Sequence, residues 1–406
     1  MIPWKRLLGF GSLPLLAAIA PLLVIPSLTL ELGARGWAAI AIGQSLGTFG
    51  LTITAGGWYT VGGRFMAGTE LGEGDAYRVS LLSRLVQFVV AQVVCAPVAF
   101  FLAPDGHQVA AALMVPAMTV WGLSPTWLYV LRGDVVRIAL SDTGAKLGAA
   151  VVAVIGLHAL SADWVYPAAL GGIGLVSVTV FGWTIARTGT AWHLRQAVEH
   201  VTGHANLTAS RVAGSAFTSL ATPLVALIAP SAVATFAAAD RLKVLGATGM
   251  TAISAALQGW IYQDKEIKPQ RQRAAFIVMN TFAALVFLGF VVIGPLIDGF
   301  LFNDAAELTL GTVVPQALAL ALIGLGGSVT FLYLAPAGRL RRISFASYAG
   351  SITGVAAISL LAGVDGAVGA SWGVFLSEAV VVAVLVGRVP GRFRSAEHAP
   401  SARGTT

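Results

Sequence analysis

Long apolar runs, broken at near-regular intervals by short polar stretches, constrain this chain more than any other feature. They fall near residues 7–30, 37–61, 80–103, 109–131, 145–160, 165–186, 211–230, 232–262, 274–297, 308–334, 343–362 and 367–387. A run of about 20 apolar residues, rising roughly 1.5 Å per residue, reaches across the ~30 Å hydrocarbon core of a bilayer. Lipid offers the backbone no hydrogen-bond partner, so each run is predicted to be an α-helix. A membrane β-barrel is excluded, because its strands alternate apolar and polar residues and these runs are continuously apolar. Only 11% of the 406 residues are charged, against roughly 25% in a soluble domain. The fold class follows: an all-α polytopic membrane protein with twelve transmembrane helices. Lys5 and Arg6 before the first run imitate a secretory signal, but 7–30 exceeds the roughly 7–15 residues of a signal core. It is read as the first transmembrane helix.

Orientation follows from the basic residues. With the N-terminus inside, the cytoplasmic segments hold Lys5 and Arg6; Arg64, Arg78 and Arg84; Arg132, Arg137 and Lys146; Arg187, Arg195 and Arg211; Lys265, Lys268, Arg271 and Arg273; Arg339, Arg341 and Arg342; and Arg388, Arg392, Arg394 and Arg403. That is nearly all of the 25 Lys and Arg. Arg35 alone falls in an outer loop, while Arg241 and Lys243 fall inside a run. The positive-inside rule therefore places both termini in the cytoplasm. The net charge of +7 is an orientation signal, and no nucleic-acid partner is expected. A single cysteine, Cys95, excludes an internal disulfide framework and a thiolate metal cluster.

Sliding the chain half its length along itself gives an ordered match. Pro21 meets Pro223, Gly57-Trp58 meets Gly259-Trp260, Ala96-Pro97 meets Gly294-Pro295, Val115-Pro116 meets Val314-Pro315, Leu128-Tyr129 meets Leu332-Tyr333 and Arg137 meets Arg341. An even number of helices per half makes this a parallel repeat, the plan of two six-helix lobes that rock about a central path. The expected division is an N-lobe over 1–210, a C-lobe over 211–388 and a disordered cytoplasmic tail over 389–406. The copies differ where Ala38-Ala39 aligns with Asp240-Arg241. An Arg in a helix centre costs about 2.5–3.5 kcal/mol on insertion scales, so it faces a cavity or a partner. The competing reading is that Asp240, Arg241 and Lys243 snorkel into a wet outer funnel.

Ala239-Asp240-Arg241-Leu242, after Thr235-Phe236-Ala237-Ala238, resembles the eighth-helix motif of the lipid II flippase family. Glu31-Leu32-Gly33-Ala34-Arg35-Gly36-Trp37, running on to Gly56-Gly57 and Arg64, resembles the helix 1–2 region of the polysaccharide transporter (O-antigen flippase) branch. Both belong to the multidrug/oligosaccharidyl-lipid/polysaccharide (MOP) exporter superfamily. The resemblance implies that the acid–base pair in helix eight matters and that Arg241 faces a central cavity. Two departures point away from lipid II itself: Val244 stands where that family carries an acid, and the family has fourteen helices. The implied function is a flippase carrying a polyprenyl-diphosphate-linked oligosaccharide, or a related cell-envelope glycan lipid, from the cytoplasmic to the outer leaflet of a bacterial inner membrane.

A diphosphate headgroup needs cations, and Arg pairs phosphate with a planar fork. The candidate phosphate contacts are Arg241, Lys243, Arg64 and Arg35. Arg64 also satisfies the positive-inside rule, and Arg35 also reads as a solvated loop charge. Asp240 and Glu378 are the candidate cavity or coupling residues. For Glu378, a path for a coupling cation or proton and a hydrogen bond to a neighbouring helix are equal readings. The alternatives are a cation-coupled multidrug exporter and a membrane glycan polymerase or ligase. The first is weakened because 7–30 contains no acid, and the second because no catalytic constellation and no sizeable outer loop is found. No enzyme, cofactor or metal site is expected. His200 and His204 lie one helical turn apart, with His193 nearby, but lack a His-Glu-x-x-His pattern and are read as part of a solvated amphipathic connector. No Walker loop occurs.

Overall fold

The computed structural model describes residues 4–261 and 269–387, and every element among them is helical. The tail read over 389–406 and the basic residues Lys265, Lys268, Arg388, Arg392, Arg394 and Arg403 lie outside the described residues, as do the side chains of Lys5 and Arg6.

Helix α1 (Trp4–Ala55) contains two membrane passes, because Gly33 reverses the chain with φ 62° and ψ −166°. A side chain is disfavoured at this positive φ, and glycine is not. The reversal is visible in the packing: Leu13, near the start of pass one, joins the cluster around Trp58, just past the end of pass two. Helix α2 (Trp58–Gly68) follows a short break, and α3 (Glu73–Leu102) is pass three. Pass four is α4 (Gln108–Thr119) and α5 (Thr126–Arg132), joined through a 3₁₀ turn at Val120–Leu123. Pass five is α6 (Val135–Ile138) and α7 (Ala145–Leu160), with a π-helical turn at Ala139–Gly144 between them. Pass six is α8 (Val165–Ala186), and α9 (Leu194–Gly203) connects the halves.

The second half repeats the plan. Pass seven is α10 (Ala205–Ile228), bent by 53° near residue 217, and pass eight is α11 (Val233–Ile261). Pass nine is α12 (Pro269–Ile293), α13 (Asp298–Phe302) is a short turn of helix, and pass ten is α14 (Leu310–Val329). Helix α15 (Leu340–Val386) holds passes eleven and twelve, folded back at Asp365–Gly366. Ser377 Oγ donates to the Gly350 carbonyl at 2.8 Å across that hairpin. Length and hydropathy alone select eight stretches, or nine with the bent α10. Two of these are double, and α11 is missing from them, so the passes number twelve among the described residues. Passes one to six pack on one another, as do seven to twelve, and α1 meets α10 and α11 between the two lobes.

Two sequence expectations change. Pass five was expected to begin at 145; it begins at Val135, because Asp142 and Lys146 pair at 2.9 Å and so enter the helix together. Arg84 and Lys146 were expected among the charges of the basic face. Arg84 is instead fully buried in pass three, and Lys146 lines a cavity. Backbone carbonyls of pass four replace water at Arg84, and Asp142 pairs with Lys146.

The face remote from the N-terminus is sealed between the lobes. Buried Trp37 donates its indole N–H to the Ala234 carbonyl at 3.0 Å and lies against Phe302, with ring centroids 5.7 Å apart. Asn303 Nδ2 donates to the Pro26 carbonyl at 2.8 Å and to Thr29 Oγ1 at 3.0 Å. Glu31 ties this corner to passes five and six, accepting from Ser161 at 2.6 Å and meeting His158 at 3.0 Å. The Ser161 hydroxyl, then His158, holds the Glu31 carboxyl below the usual carboxylate range. Asn303→Ala removes both of these bonds, although Thr29 Oγ1 still reaches the Pro26 carbonyl at 3.2 Å. Two bonds at about 0.5–1.5 kcal/mol each amount to a loss of about 1–3 kcal/mol, and each 1.4 kcal/mol is tenfold in an equilibrium. The substitution is expected to raise labelling, applied from this face, of a cysteine placed at cavity-lining Ala18 of pass one by about tenfold. Buried Cys95 stays silent, and unchanged labelling would remove Asn303 from the seal.

On the basic face, the connector is less solvated than its sequence suggests. His200 is buried, stacked on Trp58 at 4.1 Å and on His204 at 4.2 Å, with Phe65 edge-on at 5.6 Å. Aromatic partners in α2 account for the difference. Burial, then the neighbouring His204, pushes the His200 imidazole down from 6.5 to about 4. The undocked connector therefore binds a proton that the docked one refuses. Docking stability is fully present above pH 6.5 and falls as pH drops from 6.5 towards 4. Limited proteolysis between residues 187 and 204 is expected to rise over that window in the wild type. In His200→Phe it stays flat with pH; retained pH dependence would place the titrating group elsewhere.

Candidate substrate cavity

A cavity of about 440 Å³ runs through the first lobe and is closed on one side by pass eight. Pass one brings Leu13, Ala17 and Pro21 to its wall, pass two Gln44 and Leu51, and pass four Met118, Trp121 and Thr126. Pass five adds Asp142 and Lys146, pass six Tyr166, and pass eight Arg241 and Thr248. The wall is mostly apolar, so its few polar groups decide what it can hold.

Breaks in helical geometry build this wall. At Val120–Leu123, pass four tightens into a 3₁₀ turn and then bends at Ser124-Pro125. Non-helical backbone at membrane depth survives only where protein or a cavity supplies its hydrogen bonds. Here the Arg84 guanidinium donates to the carbonyls of Gly122, at 3.0 Å, and Ser124, at 2.7 Å. In pass five the π-helical turn frees a carbonyl at Ser141, which accepts from the Ser177 hydroxyl at 2.6 Å. The lysine ammonium of Lys146 lies 5.0 Å from the centre of the Trp121 ring.

The six sequence candidates part company. Arg241 reaches the cavity beside Tyr166, whose hydroxyl accepts from Gln44 Nε2 at 3.1 Å. Lys243, two residues on, turns away and forms a buried ion pair with Asp240 at 2.6 Å. Buried Glu378 of pass twelve lies within electrostatic range of Lys243, so these three charges form a cluster inside the second lobe. Arg64 on α2 and Arg35 after the Gly33 reversal are exposed at opposite ends and do not line the cavity. A helix places neighbours on different faces, which is why adjacent charges of pass eight serve both lobes.

Asp142 and Lys146 belong to the cavity and were missed. The available signal was the fifth run itself. At 145–160 it is too short for a comfortable span, and the polar stretch Ser141-Asp142-Thr143-Gly144 before it has to enter the membrane. Among the described residues no group of three or more His, Cys, Asp or Glu side chains is placed to hold a metal ion.

No protein-family model matches the sequence, and no curated protein matches it significantly. Solved structures do match its fold. A structure of the lipid II flippase MurJ in an inward closed conformation superposes with a TM-score of 0.71 at 11% identity, covering 94% of this chain and 86% of that one. An inward-facing multidrug resistance MATE transporter of the MOP superfamily gives 0.62 at 17% identity, covering 97% and 96%. A eukaryotic MATE transporter gives 0.60 at 12% identity, covering 94% of each chain. The chain thus has the two-lobe, all-helical fold shared by the flippases and multidrug transporters of the MOP superfamily.

Proposed function

We propose that this protein is a MOP-type transporter that flips a polyprenyl-diphosphate-linked oligosaccharide, or a related envelope glycan lipid, by alternating access. The carrying observation is Arg241. It is the cavity cation without an ion pair among the described lining residues, since Lys146 pairs with Asp142 and Asp240 is matched by Lys243. An unmatched guanidinium in a mostly apolar cavity calls for an anionic group with oxygens in a plane, which a phosphate provides.

In this reading the lobes are 1–210 and 211–388, with 389–406 a cytoplasmic tail. The protein sits in a bacterial inner membrane with both termini inside. The seal around Trp37 and Asn303 is then the closed outer gate, and Arg64 and Arg35 meet the headgroup on entry and exit. Asp240 and Glu378, with Lys243 between them, are the groups through which a cation or proton would act. The competing reading is a cation-coupled drug exporter, and it draws on Asp142, an acid facing the cavity. The two separate in one experiment: proteoliposomes loaded in turn with a fluorescent undecaprenyl-diphosphate oligosaccharide and with cationic dyes. Flipping of the glycan lipid without dye movement supports the proposal. Dye export with no flipping of several glycan lipids overturns it.

A further inference from the structure

The cavity holds a second charged element besides Arg241. Asp142 and Lys146 pair through both carboxylate oxygens, at 2.9 and 3.1 Å, and their side chains keep 23% and 28% exposure. Water therefore reaches the pair while the cavity is empty. Two features keep it in place. The π-helical turn at Ala139–Gly144 is anchored by Ser177 on the Ser141 carbonyl and by Thr143 on the Leu13 carbonyl at 3.3 Å. The Trp121 ring, 5.0 Å from the ammonium, gives Lys146 a seat that does not depend on Asp142.

Charge balance then decides the behaviour of the pair. Among the described lining residues the cavity carries Arg241, Lys146 and Asp142, one positive charge net. A diphosphate diester brings two negative charges. With Asp142 ionised, the loaded cavity is left with an uncompensated negative charge in a mostly apolar wall, which costs several kcal/mol. With Asp142 neutral, two cations meet two phosphates. Other groups facing this carboxylate leave that balance unchanged. Tyr59 of α2 lies within electrostatic range of it, with Arg84 and Arg211 acting on Tyr59 behind, while Tyr166 of pass six and Arg241 of pass eight share its cavity. Passes one, two and four bring no titratable side chain to the described wall.

We propose that Asp142 and Lys146 form a charge-exchange switch, in which an entering diphosphate takes Lys146 from Asp142 and the released carboxylate takes up one proton. The proposal rests on the anionic-headgroup reading above. The exchange balances: the dianion and one proton enter, the ion pair breaks, and a Lys146–phosphate pair and a neutral Asp142 carboxyl result. Substrate and proton then bind together, each strengthening the other. The pair also acts as a placeholder, keeping the Lys146 ammonium compensated while no substrate is present.

The test is calorimetric binding of a farnesyl-diphosphoryl monosaccharide to the purified full-length protein in detergent. Its two phosphodiester charges do not titrate between pH 6 and 8, and two buffers of different ionisation heat count the protons. Wild type is expected to take up close to one proton, with affinity falling towards tenfold per pH unit on the alkaline side. Asp142→Asn, which mimics the neutral carboxyl, binds about tenfold more tightly at pH 8, takes up no proton and is flat with pH. Lys146→Gln binds at least tenfold more weakly. Monodisperse elution of each variant establishes that it is folded. Proton uptake retained in Asp142→Asn, or absent from a wild type that binds the probe through Arg241, overturns the switch and leaves the headgroup reading standing. A folded wild type that binds no such probe overturns both.

Discussion

Arg241→Ala is expected to reduce flipping of the glycan lipid by about 100-fold or more while the amount of folded protein stays at the wild-type level. The size follows from what the phosphates lose. A hydrogen bond to a charged group contributes about 1.5–3 kcal/mol, and stranding a desolvated charge by removing its partner costs about 2–5 kcal/mol. The upper part of that range is two to three decades in rate. Stability is spared for a separate reason. Asp240 lies within electrostatic range of Arg241 but keeps its ion pair with Lys243 at 2.6 Å, so alanine leaves no buried carboxylate unmatched. Arg241→Lys keeps the charge and loses the fork, so it is expected to recover part of the activity and to remain about tenfold below wild type. Initial rates in proteoliposomes, normalised to protein elution, supply the measurement. Flipping unchanged in Arg241→Ala removes this side chain from the transport path.

The fold was legible because lipid imposes one rule on every segment. Apolar runs had to be helices, and the alternation of Lys and Arg between loops ordered them into passes. The repeat was legible for the same reason, in pairs such as Gly57-Trp58 and Gly259-Trp260. Arg241 was legible as a cation that a helix centre tolerates only beside a cavity or a partner. What a linear pattern hides is the direction in which each residue faces. Lys243 and Arg241 read as two members of one phosphate site, and the structure sends one into each lobe. The short fifth run concealed Asp142 and Lys146 because a charged pair looks like a loop until the residue that neutralises it is seen. His200 read as solvated because its stacking partner Trp58 is remote in sequence.

Arg84 is the other hidden residue, and its removal is expected to damage folding itself. It was grouped with the charges that orient the protein, yet its side chain is wholly excluded from solvent and forms no ion pair with an acid among the described residues. Backbone carbonyls hold the guanidinium instead: Nε donates to Ser80 at 3.2 Å on its own helix and Nη1 to Gly122 and Ser124 across the break in pass four, while Nη2 has no hydrogen-bond partner among the described residues. The ring of Tyr77, 5.9 Å away, adds a weaker attraction. Replacing Arg84 with alanine orphans two carbonyls that have no other place to turn in a helix already broken, at about 1–3 kcal/mol each, and leaves a void besides. A loss of about 4 kcal/mol or more is expected, lowering Tm in detergent by roughly 5 °C. Arg84→Met tests whether removing the buried charge offsets this, as it does for some buried ion pairs. Here methionine leaves the same carbonyls unbonded, so it is expected to fall close to alanine. Arg84→Lys offers a single point of donation to carbonyls two residues apart and is expected to be intermediate. The pass-four break also carries Trp121 and Thr126 into the cavity wall, so export falls with stability in this series. That coupling separates the two arginines: Arg241→Ala loses transport at an unchanged Tm, whereas Arg84→Ala loses both. A wild-type Tm in Arg84→Ala shows that the break in pass four holds without the guanidinium.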